Sequence, residues 1–160
     1  MALEHFIGRE IAAAVGFSTT YSDNATVPSD HVTLGGVRNS PVGFTSSTAD
    51  ATSADSDGWL EKLTTSKSGD NTIEGVLKKT TASNLDVVED YYLGTDQPVA
   101  WLQFVRPTRP SGVPADQVKT YDVPVMITGF EITGTQDDTV TYTLSYETIG
   151  APITSYSDVA

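Results

Sequence analysis

The sequence predicts a mainly β chain: a sandwich or partly open barrel of about seven strands, with one packed α-helix and a long projecting loop. Three observations carry this. Thr, Ser, Gly and Val are abundant while charged residues make up only 19%, which favours strands and turns. Several runs alternate apolar and polar residues with a period of two, most clearly Val140, Tyr142, Leu144 and Tyr146. A single segment, Ser83–Leu93, has helical spacing and terminal signals.

The elements follow in order. Residues 1–6 read as an N-terminal arm. Ile7–Phe17 mixes the alanines of a helix with the alternation Ile11, Ala13, Val15; a strand closed by Gly16 is the better fit. Ser18–Asp30 is polar, with turns at Asp23-Asn24 and Pro28-Ser29. Val32–Thr45 reads as a strand interrupted at Gly35-Gly36. Val42-Gly43-Phe44 begins an excursion: residues 45–58 are small or acidic and cannot bury a face, and Trp59-Leu60 is expected to anchor the chain on its return. Excursions of this length inside a compact domain are uncommon and usually functional or disordered.

Asn71–Lys78 is the next strand, with Ile73, Gly75 and Leu77 on one side. In the helix, Ser83 and Asp86 match a capping box. Leu85, Val88 and Tyr92 form one stripe, Glu89 and Asp90 face away, and Gly94 suits a left-handed C-terminal cap. Val99–Val105 is an apolar strand. Residues 106–117, with three prolines, read as a stiff loop. Thr120–Thr133 is extended; its apolar phase runs through Tyr121, Val123, Val125 and Ile127, then flips after Gly129 to Phe130 and Ile132, as a bulge produces. Gly134–Asp138 is a hairpin loop, Thr139–Glu147 the returning strand, and residues 150–160 a tail.

Composition narrows the function. No cysteine is present, which removes disulfides, thiolate metal sites and a cysteine nucleophile. The net charge is −12 and the nine Lys and Arg are scattered, which argues against stable nucleic-acid binding. No apolar run approaches a membrane span, and Ile11–Phe17 is short for a signal-peptide core with Glu4 and Glu10 beside it. His5 and His31 are the only histidines and lack metal-ligand spacing. Asp55-Ser56-Asp57-Gly58 resembles a calcium loop, but that register puts Ser53 and Thr64 where carboxylates belong. The carboxylate pairs Glu89-Asp90 and Asp137-Asp138 are not enclosed, and no nucleophile motif appears, so no cofactor or catalytic residue is expected. An assembly role fits better than catalysis.

In order and spacing, several stretches resemble the major tail tube proteins of long, non-contractile-tailed (siphovirus) bacteriophages. They are GREIA at Gly8–Ala12, LGGVRNS at Leu34–Ser40, DATSADSDGWLEKL at Asp50–Leu63, EGV at Glu74–Val76, MITGFE at Met126–Glu131 and YTLSYETIG at Tyr142–Gly150. The resemblance implies a β-sandwich or barrel flanked by a helix, also found in type VI secretion tubes, with subunits closing into hexameric rings that stack into a hollow tube. It implies a virion location after assembly in the host cytoplasm. The implied partners are copies of the chain itself, a tape-measure protein in the lumen, tail terminator and tail-tip proteins, and viral DNA in transit.

On that reading the excursion is the contact between rings, carried by Thr48, Asp50, Asp55, Asp57 and Trp59. Carboxylates repel passing DNA, so an acidic wall is expected, with Glu74, Asp122, Glu131 and Glu147 on the non-core faces of strands and Asp137 and Asp138 at the mouth of a ring. Two readings from other classes stand beside it: a carbohydrate- or cell-surface-binding β-sandwich module, which would display clustered aromatics, and a calcium-stabilised secreted domain.

Overall fold

The computed structural model describes residues 15–23, 25–77, 84–108, 117–134, 136 and 139–158. The expectations for residues 1–14, Lys78, Lys79, Ser83 and its cap, Arg109, Asp137 and Asp138 lie outside them.

Among the described residues ten strands and one helix form. The strands are β1 (Val15–Ser18), β2 (Val32–Thr33), β3 (Val37–Asn39), β4 (Thr45–Asp50), β5 (Lys62–Ser68), β6 (Asn71–Val76), β7 (Val99–Thr108), β8 (Gln117–Thr133), β9 (Thr141–Thr148) and β10 (Ile153–Asp158); the helix is α1 (Leu85–Gly94). Eight strands share one antiparallel sheet, in the order β2-β1-β7-β8-β9-β6-β3, with β10 also on β8. β4 and β5 pair only with each other.

The order of the sheet fixes its curvature. β2 and β3 stand at opposite ends of it, yet only Leu34-Gly35-Gly36 separate them in sequence. Four Cα steps span at most about 15 Å, so the sheet must curl until its ends nearly meet. The seam is hydrogen-bonded on both sides: Leu34 N donates to Val15 O at 2.9 Å, and Val76 N to Gly36 O at 2.9 Å. Gly36 sits at φ 71°, and a Cβ there would lie 2.0 Å from the Val76 carbonyl oxygen, so only glycine fits.

Alternation along the strands then fills the inside. Val15 and Phe17, Leu102 and Phe104, Val123 to Ile127, and Tyr142 to Tyr146 supply one buried cluster with Ile73 and Leu34. Helix α1 adds Leu85 and Val88 to it, and Tyr91 meets Phe17 edge-on at 6.1 Å while its hydroxyl donates to Val99 O. Gly75 leaves room for the Tyr142 ring, whose hydroxyl donates to Gly35 O at 3.1 Å. The bulge expected at Gly129 is present: Ile127 pairs with Tyr146 and Gly129 with Ser145, leaving Thr128 extra.

Three expectations are corrected. The C-terminal segment is not wholly loop, because Ile153–Asp158 pairs residue by residue with the start of β8. The 106–117 loop is shorter at both ends, since β7 runs to Thr108 and β8 starts at Gln117. Gly94 ends α1 without a left-handed φ, and the N-cap is Asn84, whose side chain donates to Thr33 O at 2.7 Å instead of capping. Trp101 is fully buried, packed against Tyr21 on the outer side of the sheet.

Residues 19–23 and 25–31 cover that outer side, pinned by hydrogen bonds from Ser18 Oγ and Thr20 Oγ1 to Asp30, both 2.7 Å. These hydroxyls hold the Asp30 carboxyl below its usual range.

Candidate functional site

The excursion is a hairpin arm. Its ladder runs from Thr45↔Ser68 to Asp50↔Lys62, with a bulge where Thr48 pairs with Thr64. Every residue of β4 is exposed, as a strand of Ser, Thr, Ala and Asp must be when neither face has anything to bury. Backbone pairing and Thr-rich β-propensity therefore hold the arm without a core. Beyond the ladder, Ala51 N donates to Glu61 O at 2.9 Å and Glu61 N to Thr52 Oγ1 at 3.1 Å. The tip is turned by Ser53–Gly58: Ser53 N donates to Ser56 Oγ at 3.1 Å, and Trp59 N to Ser56 O at 2.8 Å. Asp57 and Gly58 take left-handed backbone angles there. Thr52 donates to Asp50 and lowers the pKa of its carboxyl.

Trp59 does not anchor the returning chain, contrary to the expectation. It is 79% exposed, and Leu60 and Leu63 are each 64% exposed. The arm thus presents its largest apolar side chains to solvent, beside Asp55, Asp57 and Glu61. Thr48, Asp50, Asp55 and Asp57 are likewise exposed. An exposed apolar cluster rimmed by polar residues is the signature of an interaction surface.

Three of the four wall candidates come together. Glu74 on β6 and Glu131 on β8 both pair with Thr143 on β9, making a cross-strand row. Glu147 shares the outward phase of Thr143 and Ser145 on β9. All three glutamates are exposed, and Thr133 Oγ1 donates to Glu131 at 2.9 Å. The result is an acidic, Thr-rich face on β6-β9-β8.

Asp122 does not belong to it. It is only 5% exposed, accepts a hydrogen bond from Gln103 Nε2 at 3.0 Å, and lies 4.0 Å from His31 Nε2. It occupies the outward phase of β8, but the 19–31 segment roofs that part of the sheet. Burial lowers the His31 pKa, with Asp122 and Asp30 pulling the other way, so the ring is neutral near pH 7.

Among the described residues no three metal-ligating side chains converge, and no helix is long and apolar enough to cross a membrane. Sequence reasoning missed the β4–β5 pairing and the strand character of β10. The Ser/Thr content of both was the available signal.

Comparison with curated proteins by sequence gives no match. Among solved structures, a chain of the virion of a native gene transfer agent particle superposes with a TM-score of 0.66 at 20% identity, covering 98% of this chain and 100% of that one. A chain of the SPP1 tail tube superposes with a TM-score of 0.63 at 14% identity, covering 97% and 81%. A chain from the tail of an empty gene transfer agent particle, refined with C6 symmetry, gives 0.62 at 20% identity, covering 98% and 100%. At these identities the likeness is one of fold. The family model described as phage tail tube protein matches residues 20–154, from the segment roofing Trp101 through the arm and the acidic face into β10; the chain belongs to that family.

Proposed function

We propose that this chain is a structural, non-enzymatic subunit that closes into six-fold rings, and that the rings stack into the hollow tube of a phage tail. The observation that carries the proposal is the arm: a strand pair of β4 and β5 that joins no other strand among the described residues and ends in exposed Trp59, Leu60 and Leu63. Such a segment gains a partner only in another copy. Among the described residues the outer edge of β10 has no strand partner, a second liability that ring closure removes.

The six-fold order is supported by the C6 symmetry of the gene transfer agent tail to which the fold is similar. In this reading the Glu74, Glu131 and Glu147 face lines the bore and keeps DNA phosphates from adhering as the genome passes. The tape-measure, terminator and tip proteins that such a tube requires are part of the same proposal.

Deleting Thr48–Asp57 tests the role of the arm. The barrel contributes its core without it, so the variant should stay folded by circular dichroism while sedimentation shows no polymer. Tubes of normal length from the deletion would refute the proposal.

A further inference from the structure

The arm needs a receptor, and the structure offers one at the arm's own root. A cavity of about 210 Å³ opens between Ser40-Pro41-Val42 and the β7–β8 ladder at Phe104 and Tyr121, with Arg106 in its lining. Ser40 is only 8% exposed, and its Oγ has no hydrogen-bond partner among the described residues. A buried hydroxyl without a partner is costly.

Around the cavity stands a cationic, aromatic row. Arg106 pairs with Lys119 across β7–β8, and Lys119 with Tyr156 across β8–β10. Arg106 Nε donates to the Tyr121 hydroxyl at 2.9 Å, and its guanidinium lies 5.6 Å from that ring's centroid. Lys119 Nζ lies 5.2 Å from the centroid of Tyr121 and 5.3 Å from that of Tyr156. Neither cation has a carboxylate partner among the described residues, in a chain whose net charge is −12.

We propose that this cavity receives Trp59 from the arm of a neighbouring copy, with the acids beside Trp59 meeting Arg106 and Lys119. This rests on the tube-subunit reading and specifies its contact. The chemistry matches on two counts. The arm tip is apolar at Trp59 and Leu60, and the cavity is walled by Pro41, Val42 and Phe104. Residues 50–61 carry Asp50, Asp55, Asp57 and Glu61 without a single Lys or Arg, opposite a row of two cations.

A larger cavity of about 340 Å³ lies beside Phe44, Lys67 and Pro152, but it offers one cation and no orphan hydroxyl among the described residues, so it is the poorer match. Nor does a chain fill its own receptor: the six residues of β4 hold the tip about 20 Å from the root. Knob and hole therefore sit at opposite ends of one arm. The contact is head-to-tail and propagates from copy to copy instead of closing a two-fold dimer.

Trp59 reports directly on the contact, because the only other tryptophan, Trp101, is already buried. Fluorescence of the full chain should shift to the blue as tubes form. Trp59→Ala should raise the concentration needed for assembly by about thirtyfold, as for a hot-spot aromatic. Lys119→Glu should also impair assembly, and Glu61→Lys added to it should restore it. The melting temperature of each unassembled variant, unchanged, separates a lost contact from a lost fold. Tubes whose Trp59 emission stays that of a water-exposed indole, or a charge-swapped pair no better than Lys119→Glu alone, would overturn the receptor and leave the tube reading standing. A wild-type chain that never polymerises would overturn both.

Discussion

Replacing Gly36 with alanine tests the closure of the barrel. The new Cβ would sit 2.0 Å from the Val76 carbonyl oxygen, far inside contact distance. That oxygen belongs to backbone, and the same residue's N–H is bonded to Gly36 O at 2.9 Å. Moving β6 aside to admit the methyl therefore breaks the seam bond. Two costs add: about 1–2 kcal/mol for a side chain at left-handed φ, and about 1–3 kcal/mol for overpacking. The sum, about 2–5 kcal/mol, is a large share of the 5–15 kcal/mol typical of a whole domain. At about 2–4 °C per kcal/mol for a chain of this size, the melting temperature should fall by roughly 4–20 °C.

Gly94→Ala is the control. A Cβ there meets nothing within 4 Å and the φ is ordinary, so it should stabilise by about 0.4–1 kcal/mol through the unfolded chain. Thermal unfolding of the unassembled protein by far-ultraviolet circular dichroism reads both. A Gly36→Ala protein melting within a degree of wild type would refute the closure geometry.

Further outcomes follow from other sites. Gly75→Ala places a methyl 2.5 Å from the Tyr142 ring, which the bond to Gly35 O holds in place, so it should cost about 1–3 kcal/mol in the same melt. Because the folded His31 pKa is depressed below 6.5, its contribution is full above pH 6.5 and is lost as pH falls towards the folded value. Melts taken between pH 7.5 and pH 5 should decline and His31→Gln should flatten the decline, whereas the depressed Asp23, Asp30 and Asp50 lose theirs only below about pH 4. Burial raises Tyr142 and Tyr146 to about 12, so absorbance titration should show two tyrosines ionising only near pH 12. Tubes bearing Glu74→Lys, Glu131→Lys and Glu147→Lys should retain duplex DNA that wild-type tubes release, with retention falling steeply as salt rises.

The strands whose inner and outer faces differ were legible in the sequence. Tyr142, Leu144 and Tyr146 alternate because one side of β9 meets the core and the other meets water, and the flip at Gly129 marks the extra residue. Leu85 and Val88 likewise disclosed the buried side of α1. Three kinds of residue escaped that logic. β4 and β10 are rich in Ser and Thr, so without a buried face they carry no strong period and read as loop. Trp59 looked like core because a large aromatic usually is, yet it stands exposed on the arm. Asp122 was placed on the correct face, but a face pointing away from the core is not necessarily wet, and the segment ending at His31 covers it. Glu74 and Glu131 formed a row because alternation predicted their side of the sheet and register then aligned them across Thr143, with Glu147 further along the same face of β9.

On the proposed reading, this arm and the β10 edge are satisfied only among copies of the same chain. Negative-stain microscopy of the purified protein across protein concentration and salt tests it most directly. Hollow tubes or six-fold rings are the predicted result. Dispersed single particles under every condition, with the arm folded against its own barrel, would contradict it.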